Sequence, residues 1–217
     1  MVTLKLFPPT EEHPLQFERR LQRQGYQVVA GIDEAGRGPL AGPVLAAAVV
    51  LPKHFELPGL TDSKKLSPAA RERLFPLIRQ QAIAVGIGLA GPTEIDQINI
   101  LQATLQAMLR AVQRLGQSPD YLLIDGITPL PHALPQQTLK KGDSRSLSIA
   151  AASVIAKVVR DRLMVYYDRR FPGYGFAGHK GYGSAAHRQA IADLGPCPIH
   201  RATFRGVKDY WPARTSS

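Results

Sequence analysis

Asp33 and Glu34 stand side by side at the end of the apolar run 28–32, and Ala35-Gly36-Arg37-Gly38 follows at once. A second apolar run, 121–124, ends in Asp125-Gly126, and Asp143 sits between Gly142 and Ser144. These four acids share a chemistry that individual surface carboxylates lack. Carboxylates gathered without a cationic partner repel and raise one another's pKa, so a divalent cation is their natural compensation. With no histidine or cysteine cluster beside them, the donors are oxygens alone, which favours Mg²⁺ or Mn²⁺ over Zn²⁺. One cation would activate water, and a second about 3.5–4 Å away would stabilise the leaving oxygen of an in-line phosphoryl displacement. Adjacent strand residues point to opposite faces, so Asp33 and Glu34 can converge only where the strand ends or bends. The local alternative is that these acids form turns and caps, Asp143 in particular capping the helix that follows it.

Around the acids lie groups suited to phosphate. Gly36 and Gly38 let backbone N–H groups approach a ligand closely, and Arg37 adds a planar cationic fork. The segment is not a G-x-G-x-x-G entering a helix, and no G-x-x-x-x-G-K-[ST] is present, so no nucleotide cofactor is implied. Lys64 and Lys65 precede a helix N-terminus, where the dipole disfavours cations and an anionic ligand would explain them. Gly178-His179-Lys180-Gly181-Tyr182-Gly183-Ser184 carries a ring able to stack on a base or sugar; otherwise it is a surface loop. His179, His187 and His200 match no zinc spacing and are expected as exposed polar residues. Cys197, the single cysteine, cannot form an internal disulfide and receives no role.

The net charge is +10, and it is one-sided: residues 138–217 hold 14 Lys and Arg against 5 Asp and Glu, whereas residues 1–137 hold 13 against 12. Such asymmetry fits an electrostatic footprint for nucleic acid better than an evenly solvated surface does. No apolar run is long enough to span a membrane and no secretory h-region is present, so we expect a cytoplasmic location.

These residues must be positioned by a scaffold, and the hydrophobic pattern supplies one. Residues 28–32 and 44–51 read as strands joined in a hairpin by a Gly-Pro turn. Ser67-Pro68 reads as a cap and first helical residue, with a helix to Arg79 that Pro76 threatens to interrupt. A strand over 82–89, a helix over 92–115 with Ile98, Leu101, Leu105, Met108 and Val112 on one face, and the strand at 121–125 follow. A brief strand near 137–140 leads to a long helix over 147–170, and 185–194 is the clear helix of the C-terminal part. The order predicts an α/β fold with a mixed sheet. The expected organisation is a loosely held leader (1–26), a catalytic domain (27–170) and a basic helical region (171–217) packed on it.

At these residues the chain resembles the ribonuclease HII family, the bacterial type 2 ribonucleases H. The matching stretches are Asp33-Glu34-Ala35-Gly36-Arg37-Gly38-Pro39, Asp62-Ser63-Lys64-Lys65-Leu66, Ile124-Asp125-Gly126 and Lys141-Gly142-Asp143-Ser144. The run from Ala150 to Lys157, Arg160-Asp161 and His179-Lys180-Gly181-Tyr182 extend them in order. The resemblance implies a ribonuclease H-like mixed central sheet flanked by helices. It also implies a metal-dependent endonuclease, using Mn²⁺ or Mg²⁺, that cuts the RNA strand of RNA–DNA hybrids and single ribonucleotides in duplex DNA. The products would carry 3′-hydroxyl and 5′-phosphate ends, and a monomer is expected. By the same resemblance Asp33, Glu34, Asp125 and Asp143 are catalytic, with Asp33, Glu34 and Asp125 holding metal. Gly36, Arg37 and Gly38 would meet the ribonucleotide around its 2′-hydroxyl, Tyr182 would stack on the adjoining sugar, and Lys64 would hold phosphate. Ser184 stands where the family commonly has threonine, and Arg201-Ala202-Thr203-Phe204 replaces a usual Arg-Arg-Ser-Phe. A non-catalytic nucleic-acid-binding module and a metal-dependent phosphatase are the competing readings.

Overall fold

The computed structural model describes residues 15–211. Its centre is a five-stranded sheet of β1 (Val29–Ala35), β2 (Val44–Val50), β3 (Ala84–Ala90), β4 (Tyr121–Asp125) and β5 (Gln136–Leu139), in the order β3-β2-β1-β4-β5. β1 and β2 form the expected antiparallel hairpin and β3 continues it, whereas β4 and β5 run parallel to β1. The sheet is therefore mixed, as the sequence predicts.

The middle strand explains why the sheet is covered on both sides. Every residue of β2 is buried. Val44, Ala46, Ala48 and Val50 enter one core layer and Leu45, Ala47 and Val49 the other, the period-two alternation of a strand with no solvent face. The first layer is closed by α3 (Pro92–Gln113), the second by α2 (Pro68–Gln81) and α4 (Leu147–Arg170). Helix α4 comes so close to β1 that a Cβ on Gly31 would fall 2.3 Å from the Ser148 carbonyl carbon. Its run of small alanines, 150–152 and 156, serves this approach.

Local sequence rules account for most boundaries. Ser67 caps α2 by accepting from the Ala70 N–H at 3.2 Å, and Pro76 lies inside the helix without ending it. Ser146, rather than Asp143, caps α4. Helix α3 departs from expectation at Asn99, whose φ of 65° breaks it into two segments. The Asn99 side chain then accepts from the N–H groups of Leu101 and Gln102, capping the restart. The break rotates the face: Leu105, Met108 and Val112 are buried as predicted, but Leu101 is exposed.

Residues 15–23 do not behave as part of a loose leader. Helix α1 (Gln16–Arg23) buries Phe17 and Leu21 against Val29, Leu123 and Ile149. Glu18 is buried as well; its Oε1 accepts from the Ser146 and Ser148 hydroxyls at 2.6 Å each and from the Ser148 N–H. Residues 1–14 lie outside the described residues. Among the described residues no helix is long and apolar enough to cross a membrane.

In the C-terminal part, α5 (Phe176–His179), which hydrophobic periodicity misses because it is a single turn, and α6 (Ala185–Leu194) pack around Tyr174, Phe176, Cys197 and Ile199. The histidines, expected at the surface, gather here instead. His187 and His200 are buried and share a 3.0 Å Nε2–Nε2 hydrogen bond, while His179 stacks on His187 at 4.3 Å. Burial lowers both His187 and His200 to about 4, so the pair is neutral and an imidazole donates to an imidazole.

Candidate active site

Parallel pairing of β1 and β4 sets Ile32 opposite Ile124. The next residue on each strand is therefore an acid, and both acids turn to the α4 side of the sheet. The short 3-10 turn Gly142–Ser144 brings Asp143 to the same spot, because Asp125 Oδ1 accepts the Gly142 N–H at 2.6 Å. One carboxylate oxygen from each of Asp33, Asp125 and Asp143 lies within 4.8 Å of the others. Glu34, expected among the ligands, stands outside this group by strand alternation. It faces the α3 side, 3.5 Å from Arg37, and lines a cleft of about 310 Å³ with Leu105, Met108 and Asp125.

The acids are held by few compensating groups. Burial, reinforced by repulsion from Glu34 and Asp125, raises Asp33 well above the usual carboxylate range. The Ser153 hydroxyl and the Glu34 N–H, 2.7 Å from Asp33 Oδ1, pull the other way. Burial and the neighbouring Asp125 and Asp62 raise Asp143, and burial raises Glu34 against the opposing Arg37. Lys64 Nζ lies 3.5 Å from Asp143; burial alone would lower it, but Asp143 and Asp33 outweigh that and raise it. Three mutually repelling hard oxygen donors, only Asp143 among them ion-paired with a lysine, fit a hard divalent cation.

Two supporting groups escaped the sequence reading. Asp62 accepts the Lys64 N–H at 2.8 Å and lies near enough to Asp143 to help raise it, making it a fifth acid at the rim. Ser153 binds the Ser63 hydroxyl at 2.8 Å and thereby ties α4 to the loop that carries Lys64. Their signal was present as positions inside the matching stretches, but only the fold shows what they touch.

The remaining residues border the acids. Gly36 adopts φ +96°, and a Cβ there would fall 2.0 Å from Arg160 Nε, so the position accepts glycine only. Arg37 is half exposed. Tyr182 is 48% exposed, and its Cε1 lies 3.7 Å from where a Gly38 Cβ would be. The loop after β1 and the Tyr182 loop thus form one surface, joined by the Leu40 N–H donating to Gly181 at 2.8 Å. Arg201, in the segment that departs from the family's usual Arg-Arg-Ser-Phe, is wholly buried. Its neighbours Ala202 and Thr203 give their N–H groups to Asp96.

With this geometry in place, comparison with known proteins is decisive. The family model for Ribonuclease HII matches residues 30–207. The chain belongs to the ribonuclease HII family. It is 72% identical over 207 residues to the Ribonuclease HII of Syntrophotalea carbinolica, covering 95% of this chain and 99% of that one. It is 66% identical over 212 residues to that of Geotalea uraniireducens, covering 97% and 98%. Among solved structures, the ribonuclease H2 of Pyrococcus horikoshii superposes with a TM-score of 0.71 at 27% identity, over 85% of this chain and 97% of that one. The ribonuclease HII of Archaeoglobus fulgidus, solved in a complex with PCNA, gives 0.68 at 26%, over 88% and 98%. The ribonuclease HII match spans all four acids, Lys64, Tyr182 and both loops of the bordering surface.

Proposed function

We propose that this chain is an endoribonuclease that hydrolyses the RNA strand of RNA–DNA hybrids, including a single ribonucleotide within duplex DNA, leaving 3′-hydroxyl and 5′-phosphate ends. The observation that carries this reading is the convergence of Asp33, Asp125 and Asp143 beside a surface of Arg37, Lys64 and Tyr182. Asp33, Asp125 and Asp143, with Glu34 on the adjoining face, would hold Mn²⁺ or Mg²⁺. The donors are numerous enough for the two-cation arrangement that the four acids suggest from sequence. When bound, the divalent cation supplies Lewis-acid activation of water and neutralises charge gathering on the phosphate.

The chain's own groups do the rest. The Gly142 N–H and the Ser153 hydroxyl hold the Asp125 and Asp33 carboxylates where they converge. Lys64 and the Arg37 fork meet phosphate oxygens at the rim. The Gly36-Arg37-Gly38 backbone and the face of Tyr182 receive the ribonucleotide, whose 2′-hydroxyl is what separates RNA from DNA at a given position. In this reading the protein acts as a cytoplasmic monomer.

Asp125→Asn tests the assignment. With a duplex carrying one ribonucleotide and added Mn²⁺ or Mg²⁺, the wild type cuts at that position, whereas the variant binds the duplex within a few-fold of wild type and does not cut. Undiminished cutting by the variant refutes the site. Duplex affinity should also fall steeply with salt, because Lys and Arg contacts to phosphate release counterions.

A further inference from the structure

The two largest wholly buried side chains are both arginines, Arg160 and Arg201, and neither forms an ion pair among the described residues. Each instead spends its guanidinium on backbone carbonyls. Arg201 donates from Nη2 to Gly36 at 2.5 Å, from Nη1 to Arg37 at 2.7 Å and from Nε to Gly42 at 3.0 Å. Arg160 donates from Nε to Pro43 and from Nη2 to Ala41, and its Nη1 reaches across to Lys180 on the Tyr182 loop at 3.0 Å. Six carbonyls of two loops are thus gripped from behind by two planar forks.

The consequence lies on the opposite side of each peptide group. In a trans peptide the carbonyl oxygen and the following N–H point in opposite directions, and the chain has no cis bond. Holding the Gly36 and Arg37 oxygens inward turns the N–H groups of Arg37 and Gly38 outward, beside the Tyr182 ring. Neither N–H donates to any group among the described residues. Each shares a peptide unit with an oxygen bound to a buried cation, which strengthens it as a donor.

We propose that Arg201, backed by Arg160, is a specificity-determining positioning residue. It presents the Arg37 and Gly38 N–H groups to the 2′-hydroxyl and adjoining phosphate of the ribonucleotide, so that discrimination between ribo- and deoxyribonucleotide depends on a side chain that never touches substrate. This rests on the function proposed above. A lysine cannot replace the fork, because one ammonium cannot face three diverging carbonyls in fixed geometry.

The test compares two DNA duplexes that differ only in one central nucleotide, ribo or 2′-deoxy. Binding is followed by fluorescence anisotropy in EDTA, and cleavage kinetics in Mn²⁺. We expect Arg201→Gln and Arg201→Lys each to reduce the preference for the ribonucleotide duplex at least tenfold and to raise KM for it, with affinity for the all-DNA duplex within threefold of wild type. A purely structural role would weaken both duplexes together or only lower the melting temperature. Should Arg201→Gln fail to fold, Arg201→Lys and the wild-type amide spectrum decide: the Arg37 and Gly38 N–H resonances should shift with the ribonucleotide duplex and not with its deoxy counterpart. Unchanged preference in either folded variant, or identical shifts with both duplexes, overturns the proposal. A wild type that shows no preference would sink the function itself, a result visible before any substitution is made.

Discussion

Where β1 and β4 end, three carboxylates converge with a single half-engaged lysine beside them; a short distance along the chain, the loop 36–43 encloses two guanidinium groups whose every nitrogen has an acceptor. Both regions bury more charge than ion pairs offset, the arginines having none among the described residues and the three acids sharing only Lys64, and they do so with opposite outcomes. The arginines are satisfied by dipoles, so their charge organises backbone. The acids repel one another, and the energy of that repulsion is available to whatever cation relieves it. A buried charge with its hydrogen-bonding capacity filled is architecture, and one with capacity to spare is a binding site.

The strongest way to break this contrast is Asp33→Asn. Cleavage should drop on the order of a thousand-fold, which corresponds to about 4 kcal/mol of barrier. In metal-free buffer the same variant should melt at a higher temperature than wild type, since it removes a desolvated, repelled carboxylate. Retained activity, or a lowered melting temperature, would mean the acids are ordinary structure. Next in size is Arg160→Met, which keeps volume but strands the carbonyls of Ala41, Pro43 and Lys180. Urea unfolding should register a loss of about 3 kcal/mol, and a neutral outcome would remove the arginine half of the comparison.

The histidine pair sharpens the contrast through pH. His187 and His200 are lowered to about 4, whereas in the unfolded chain they titrate near 6.5. The unfolded state therefore binds protons that the fold excludes, so the stability these residues contribute is present above pH 6.5 and is lost as pH falls toward 4. The slope should reach up to about 1.4 kcal/mol per pH unit for each residue, and His200→Gln should flatten it in melts between pH 7.5 and 4.5. The smallest effect belongs to the exposed pair of Arg162 and Glu72. Arg162→Ala should cost no more than about 1 kcal/mol in the same unfolding assay.

Much of the scaffold could be read from neighbours in the chain. The cap at Ser67, the all-apolar β2 and the alternation in β3 are matters of a few consecutive residues, whereas the cap of α4 fell to Ser146 rather than the expected Asp143. Asp33, Glu34, Asp125 and Asp143 were legible because each follows a recognisable apolar run or glycine. The division of labour among them was not. Asp33 and Glu34 part company because the strand stays extended to Ala35, so the bend after it comes too late to bring both acids to one face. Asn99 hid in a helical pattern because only its φ of 65°, not its polarity, reveals the break.

What the amino-acid sequence determined by itself is the set of local elements and the chemical identity of the acids, since strand period, capping and side-chain type act within a few residues. What only the tertiary structure decided is which charges are left unpaired. Arg201 meets Gly36 from 165 residues away, Glu18 meets Ser148 from 130, and His187 meets His200 across a turn that carries both inside. Exposure was the natural expectation for each of these polar groups. Distant partners engage every nitrogen of Arg201 and Oε1 of Glu18, though Glu18 Oε2 has none among the described residues. Folding reversed that expectation because desolvation is tolerated where such partners arrive to engage the buried group, a condition that no short stretch of sequence can state.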